Sequence, residues 1–128
     1  MRILYADDDP MFLEITREFL STNGVEVEVA SSAAEALEMI NKSHYDALVS
    51  DYQMPNIDGI QLLSQLRSMH NNIPFILFTG RGREDLAIEA LNSGADHYLQ
   101  KGGDTRVQFA ELIHHVQKAV ERHAWRLN

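Results

Sequence analysis

Short, mostly apolar runs alternate with longer segments of helical periodicity along almost the whole sequence, and this alternation limits the fold more than any other feature. Apolar runs this short fit buried strands. When helix-length segments separate such runs, each helix carries the chain back across the sheet, so that the next strand lies parallel to the last. Five of these units follow one another. The pattern predicts an α/β protein with a single doubly wound, five-stranded parallel sheet flanked by five helices.

Four of the candidate strands are mostly apolar, as is typical of strands that helices cover on both faces. The remaining candidate, Val25–Ala30, alternates valine with glutamate, which predicts an edge strand. The five predicted strands are Ile3–Ala6, Val25–Ala30, Ala47–Ser50, Phe75–Phe78 and His97–Gln100.

Local start signals and apolar stripes define the helices between these strands. Asp9 followed by Pro10 predicts the start of the first helix. Ser32 with Glu35 three residues on predicts a capping box for the second helix. The third helix is expected after Asp58-Gly59, the fourth at Glu84–Ser93 before Gly94, and the fifth after a cap at Asp104 or Thr105. The buried stripes are predicted to comprise Phe12, Ile15 and Phe19, then Leu37 and Ile40, then Leu62, Leu63 and Leu66, and finally Phe109, Ile113, Val116 and Val120.

The composition argues against several classes of function. A chain of 128 residues with 45% hydrophobic content suits one domain with one core. The formal net charge of −8 argues against direct nucleic-acid binding, and the lack of cysteine excludes disulfides and thiolate chemistry. No apolar run has the length of a signal-peptide core or a membrane span, so we expect a cytoplasmic protein.

Polar side chains follow four of the predicted strands, where each strand ends. Asp7, Asp8 and Asp9 follow the first strand, and Asp51, Thr79 and Lys101 follow the third, fourth and fifth. The carboxyl ends of parallel strands meet at one edge of a sheet, which is where such proteins bind ligands. Clustered carboxylates need a cation, and oxygen ligands suit Mg²⁺. A lysine and a hydroxyl beside them would form a phosphate cradle, while Asp9 before Pro10 suits a helix cap.

The segments ILYADDDP, ALVSDYQMPNIDG, FILFTGRG and GADHYLQKG carry a family resemblance. In this order and spacing they resemble the receiver domains of two-component response regulators, as far as about Val120. The resemblance implies a flavodoxin-like fold and a phosphoacceptor signalling domain rather than an enzyme, with only self-phosphorylation and slow autodephosphorylation. The phosphodonor would be a histidine kinase or a phosphotransfer domain.

The same resemblance implies a role for each matching residue. Asp51 would be the phosphoacceptor, Asp8 a direct Mg²⁺ ligand and Asp7 a ligand through water. Gln53 would bind the ion through its backbone carbonyl, and Met54, Pro55 and Gly59 would shape the loop. Thr79 and Lys101 would contact the phosphoryl group, Tyr98 would be a rotating switch aromatic, and Gln53 and Arg81 would be rim residues that tune the access of hydrolytic water.

The sequence departs from the family pattern at two positions. Gly80 follows Thr79 where the family generally has alanine or another small residue. Gly102-Gly103 follows Lys101 where the family generally has proline after a cis peptide. A cis bond without proline costs about 3 kcal/mol, so we predict a trans Lys101–Gly102 peptide and a lysine loop that follows a different path.

Two other functions stay open on the sequence alone. Phosphatases of the haloacid-dehalogenase type also use an aspartate nucleophile, Mg²⁺ and a lysine, and Asp7 with Asp9 mimics the spacing of their two acids. An unphosphorylated pseudo-receiver that only docks partners is the second alternative. The six histidines form no motif with metal-ligand spacing.

The last helix is predicted to connect the domain to a further module. Its apolar steps continue through Ala124 and Leu127, and no glycine or proline stops the helix before Asn128. We therefore expect a receiver domain over residues 1–122 and the start of a helical extension or linker over residues 123–128. A fused sensor, kinase or other output module after Asn128, and a homodimer through the last helices, are expectations of the same kind.

Overall fold

Five parallel strands form one sheet, as predicted. The computed structural model describes residues 1–80 and 84–127, the last three of these as helical backbone only. The sheet has the order β2-β1-β3-β4-β5, and every neighbouring pair is parallel. The strands are β1 (Arg2–Ala6), β2 (Glu26–Ala30), β3 (Ala47–Ser50), β4 (Phe75–Thr79) and β5 (His97–Gln100). The order of connection reverses between β1 and β3, which places the topological switch point there.

Helices cover both faces of the sheet. They are α1 (Pro10–Thr22), α2 (Ala33–Lys42), α3 (Gly59–Ser68), α4 (Glu84–Asn92) and α5 (Thr105–Leu127). One core cluster joins the sheet to α2, α3 and α4, and a second joins the opposite face to α1 and α5. The doubly wound prediction is therefore confirmed. No helix in the described ranges is long and apolar enough to cross a membrane.

Local capping starts α1 and α2 at the predicted residues. The Asp9 carboxylate accepts hydrogen bonds from the two backbone N–H groups that follow Pro10. The Ser32 hydroxyl accepts a hydrogen bond from the backbone N–H of Glu35. A complete capping box would also have the Glu35 carboxylate accept from the backbone N–H of Ser32. Instead, this carboxylate accepts from the hydroxyl of Ser31 at 3.2 Å.

The sequence predicted where α3 and α5 begin, but it did not predict the capping box of α3 or choose between Asp104 and Thr105 as the cap of α5. Asp58 and Gln61 form a complete capping box, each side chain accepting from the other residue's backbone N–H. For α5 the cap is Asp104, whose carboxylate accepts from the backbone N–H groups of Arg106 and Val107.

The buried face of α1 differs from the predicted stripe. Ile15 is 42% exposed, whereas Leu13, Thr16 and Leu20 are buried. Both sets recur at three- and four-residue steps, so periodicity alone could not choose between them. The position of α1 against the sheet and α5 selects the second set and leaves Phe12 at its margin, half-buried.

The sequence predicted one of the two edge strands. The edge position of β2 is confirmed. Helices pack on both faces of β5, with Tyr98 against the core cluster that includes α4 and Leu99 against the one that includes α5. Because β5 is the other edge of the sheet, the cover is incomplete and each of its residues is half-buried or exposed. An edge strand has one neighbour only, which leaves His97 and Gln100 partly open to solvent.

Candidate functional site

The backbone of the sheet places the predicted site residues at one edge. The backbone N–H of Asp51 donates to the carbonyl of Ala6 at 2.8 Å, so the pairing of β1 with β3 continues past the end of β3. Across the sheet, the N–H of Lys101 donates to the carbonyl of Thr79 at 2.8 Å. These main-chain hydrogen bonds fix the backbone of Asp51 beside the end of β1 and the backbone of Lys101 beside the end of β4.

The carboxylates of Asp7, Asp8 and Asp51 form an acidic cluster. One oxygen from each lies within 4.8 Å of the others. Asp7 is fully buried, Asp51 is half-buried and Asp8 is exposed. A hard divalent cation such as Mg²⁺ prefers oxygen ligands and keeps several waters, so three carboxylates with one side open to solvent fit that ion.

Asp9 stands apart from the cluster. Its carboxylate caps α1, accepting from the N–H groups of Met11 and Phe12. The haloacid-dehalogenase alternative needs Asp9 as the second acid beside Asp7, and the capping role takes that carboxylate out of the site.

Asp7 is held by three donors. The Tyr5 hydroxyl donates to Oδ2 at 2.6 Å, the Lys101 ammonium donates to the same oxygen at 2.7 Å, and the backbone N–H of Asp9 donates to Oδ1 at 3.0 Å. Burial and the neighbouring Asp7 carboxylate raise the pKa of Tyr5, so this hydroxyl remains a donor. Sequence reasoning missed Tyr5, although a residue two before Asp7 shares its face of the strand.

The Lys101 ammonium lies between two carboxylates and over the rings of Phe12 and Phe78, which we call the aromatic floor. Its Nζ lies 2.7 Å from Oδ2 of Asp7 and 3.6 Å from Oδ2 of Asp51. The same nitrogen lies 4.1 Å from the ring centroid of Phe12 and 5.6 Å from that of Phe78, both within the range of cation–π attraction. The aromatic floor was not predicted, because Phe12 was assigned to the core stripe of α1.

Opposing influences act on the pKa of the Asp51 carboxyl group. Burial raises the pKa of its carboxyl group above the usual value, and the Asp7 carboxylate acts in the same direction. The Lys101 ammonium, a hydrogen bond from Thr79 and the backbone N–H of Tyr52 lower the pKa of Asp51 and offset part of that effect. The Tyr52 N–H donates to Oδ1 at 2.8 Å. These donors stabilise the carboxylate, which is the nucleophilic form.

A glycine fixes the loop that follows Asp51. The N–H of Gly59 donates to the carbonyl of Tyr52 at 2.7 Å, and a Cβ at position 59 would lie 2.2 Å from the carbonyl oxygen of Asp51. Only glycine permits this approach, which supports the predicted loop-shaping role. Met54 is buried in the core, while Gln53 is exposed two residues after Asp51, and its predicted metal contact stays a prediction.

The residues predicted to switch lie on adjacent strands. Thr79 is the last residue of β4 and is buried, so it lies within the strand rather than just after it. Tyr98 lies in β5, is half-buried and packs against the core cluster that includes α4. Arg81, predicted as a rim residue, lies outside the described residues.

The lysine loop confirms the predicted trans peptide. All peptide bonds of the described residues are trans, including that between Lys101 and Gly102. Gly102 has a φ of 141° and Gly103 a φ of 77°. A proline ring fixes φ near about −65°, so the family's usual proline cannot occupy position 102 in this loop conformation.

The fold and the site together define a class of protein domains. A doubly wound parallel sheet that gathers three carboxylates, a hydroxyl and a lysine at its switch point is the architecture of phosphoacceptor domains in two-component signalling.

The chain belongs to the response regulator receiver domain family, whose model matches residues 3–117. Among solved structures, a Francisella response regulator receiver domain is similar with a TM-score of 0.86 and 36% identity, covering 95% of this chain and 98% of that one. The Thermotoga maritima response regulator TrrA, solved in complex with Mg²⁺-BeF, is similar with a TM-score of 0.80 and 30% identity, covering 92% and 97%. The protein is therefore a receiver domain of the two-component type.

A curated relative shows how much of a longer protein this chain matches. Response regulator MprA of Mycobacterium leprae is 44% identical over 101 residues. That alignment covers 79% of this chain but only 44% of the relative, so the chain spans less than half of the relative's length.

Proposed function

We propose that Asp51 accepts a phosphoryl group from the phosphohistidine of a histidine kinase or phosphotransfer domain. One observation carries the proposal: a half-buried carboxylate at the switch point faces a lysine ammonium at 3.6 Å and shares an acidic cluster with Asp7 and Asp8. A nucleophile, a charge that can offset phosphoryl oxygens and a set of cation ligands occur together there.

The transfer exchanges one bond for another. An oxygen of the Asp51 carboxylate attacks phosphorus, the new P–O bond forms, and the P–N bond to the donor imidazole breaks with its electron pair passing to the imidazole nitrogen. Negative charge spreads over the equatorial phosphoryl oxygens during this step. Lys101, already 3.6 Å from Asp51, is positioned to offset that charge, and the Thr79 hydroxyl can donate to the same group.

The acidic cluster supports Mg²⁺ as the cofactor. Asp8 and Asp51 would bind the ion directly, Asp7 through water, and Gln53 through its backbone carbonyl. The ion would supply positive charge against the transferring phosphoryl oxygens. Asp7 already accepts from Tyr5 and Lys101, which agrees with an indirect role.

Phosphorylation would act by repositioning Thr79 and Tyr98. Their strands pair in register, with Leu77 of β4 beside Tyr98, so a movement at the end of β4 reaches β5 directly. We place the boundary of the receiver domain at residue 122, and α5 continues unbroken across it to Leu127. An output module beyond the helix, pairing of two copies through it, and a cytoplasmic location stay predictions.

Mass spectrometry after incubation with acetyl phosphate and Mg²⁺ tests the proposal. We expect one phosphoryl group per chain, lost in Asp51→Asn. Asp46→Asn is the matched control, because Asp46 precedes the same strand at the opposite edge, where its carboxylate accepts from the backbone N–H of Arg2. Equal labelling of Asp51→Asn and wild type would show that the phosphoacceptor is another residue.

A further inference from the structure

Gln108 is a buried polar side chain with an unusual pair of partners. It lies in the first turns of α5, and only 9% of the residue is exposed. Its Nε2 donates to the carbonyl of Gln100 at 2.8 Å and to the carbonyl of Gly102 at 3.0 Å. Both partners can only accept, so the amide nitrogen must face them. These two carbonyls belong to the residues immediately before and after Lys101.

The segment that Gln108 holds has little rigidity of its own. Gly102 and Gly103 are exposed and both have positive φ. Apart from each glycine and its two chain neighbours, no described residue comes within 4 Å of where a Cβ would be. Glycine has the largest conformational freedom of any residue, and no proline restricts this loop. Thr79 holds the N–H of Lys101, and the Gln108 hydrogen bond to Gln100 holds the carbonyl of that same peptide group. The Gln108 hydrogen bond to Gly102 fixes the backbone on the other side of the lysine.

Lys101 needs this restraint because its ammonium must lie between two acids. Its Nζ separations, 2.7 Å from Asp7 and 3.6 Å from Asp51, are sensitive to small movements of the backbone. A misplacement of about 1 Å at a reacting centre can cost about a hundredfold in rate. We propose that Gln108 is a positioning residue, which holds the Lys101 loop through its side-chain amide and so aligns the ammonium with Asp51. This inference rests on the proposed phosphoryl transfer to Asp51.

Gln108→Met removes both donors while keeping a side chain of similar length. Gln117→Met is the matched control, because Gln117 is exposed on the same helix. NMR relaxation of the metal-free protein is the first readout. In wild type and in Gln117→Met, we expect the order parameters of Gly102 and Gly103 to be typical of ordered backbone. In Gln108→Met they should fall below about 0.6, the range of flexible backbone.

The rate of Asp51 labelling by saturating acetyl phosphate is the second readout. It should fall about tenfold in Gln108→Met and stay unchanged in Gln117→Met. Gln108→Asn keeps the amide on a side chain one methylene shorter, so we expect weaker hydrogen bonds to the two carbonyls and intermediate values of both quantities. It also serves as the test variant if Gln108→Met does not fold.

The two readouts separate the inference from the proposed function. Wild-type order at Gly102 and Gly103 in the folded Gln108 variants would overturn the inference, and so would a loosened loop with an unchanged labelling rate. If the wild type takes no phosphate while the loop loosens in Gln108→Met, the proposed function fails and the restraint of the loop by Gln108 stands.

Discussion

Replacing Gly59 with alanine should destabilise the protein although alanine is the better helix former. Gly59 is the first residue of α3, and the added Cβ would lie 2.2 Å from the carbonyl oxygen of Asp51 and 2.9 Å from Cδ1 of Leu77. Leu77 is fully buried in β4, so it cannot move aside cheaply. The start of α3 must therefore move away from the loop that follows Asp51.

The size of the effect follows from two losses and one gain. Forcing an extra carbon into a packed site costs about 1–3 kcal/mol. The movement also stretches the 2.7 Å hydrogen bond from the Gly59 N–H to the Tyr52 carbonyl, worth about 1 kcal/mol. Alanine returns up to about 1 kcal/mol through its helix propensity. We expect the free energy of unfolding to fall by about 1–3 kcal/mol. Labelling of Asp51 should also slow, because the disturbed contact is made with the backbone carbonyl of Asp51 itself.

Urea denaturation followed by circular dichroism measures this change. With a slope of about 2 kcal/mol per molar urea, the midpoint should fall by about 0.5–1.5 M. Gly80→Ala is the matched control, since a Cβ at position 80 meets nothing within 4 Å. Its midpoint should stay near that of the wild type. Equal midpoints for Gly59→Ala and Gly80→Ala would refute the steric reasoning.

Two further predictions concern the site. Asp8→Ala should weaken Mg²⁺ binding more than Asp7→Ala, because Asp8 is the exposed acid of the cluster while Asp7 is occupied by Tyr5 and Lys101; a titration that ranks Asp7 first would reverse the two roles. Phe12→Leu should slow Asp51 labelling several-fold by removing the aromatic floor, a loss of about 1 kcal/mol, and Phe12→Tyr should restore the rate. Phe19→Leu, which alters the same aromatic cluster through its contact with Phe109, is the control, and an equal slowing in both leucine variants would point to general loosening.

Much of the fold could be predicted because its signals are local. Buried parallel strands require apolar runs, and the five predicted strands match the observed strands to within one residue at each end. Helix starts depend on residues close in the chain, so Asp9 could be recognised as the cap of α1 from the sequence alone.

The membership of the site could be predicted for a topological reason. Carboxyl ends of parallel strands meet at one edge, so residues far apart in the chain, such as Asp7 and Lys101, could be assigned to one place. Their separation of 2.7 Å confirms that they meet. The trans peptide before Gly102 could also be predicted from the sequence, because the preference for trans is a property of any peptide bond that does not precede proline.

Tertiary packing alone decided which of several equivalent choices the chain adopts. Helical periodicity allowed either Ile15 or Leu13 to face the core, and the contact of α1 with the sheet selected Leu13. The exposure of β5 depended on its having a single neighbouring strand. The aromatic floor beneath Lys101 and the hold of Gln108 on the carbonyls around it join residues from α1, β4 and α5. Contacts of this kind leave no periodic or local signal, because they depend on distances between elements that exist only after the helices have packed against the sheet.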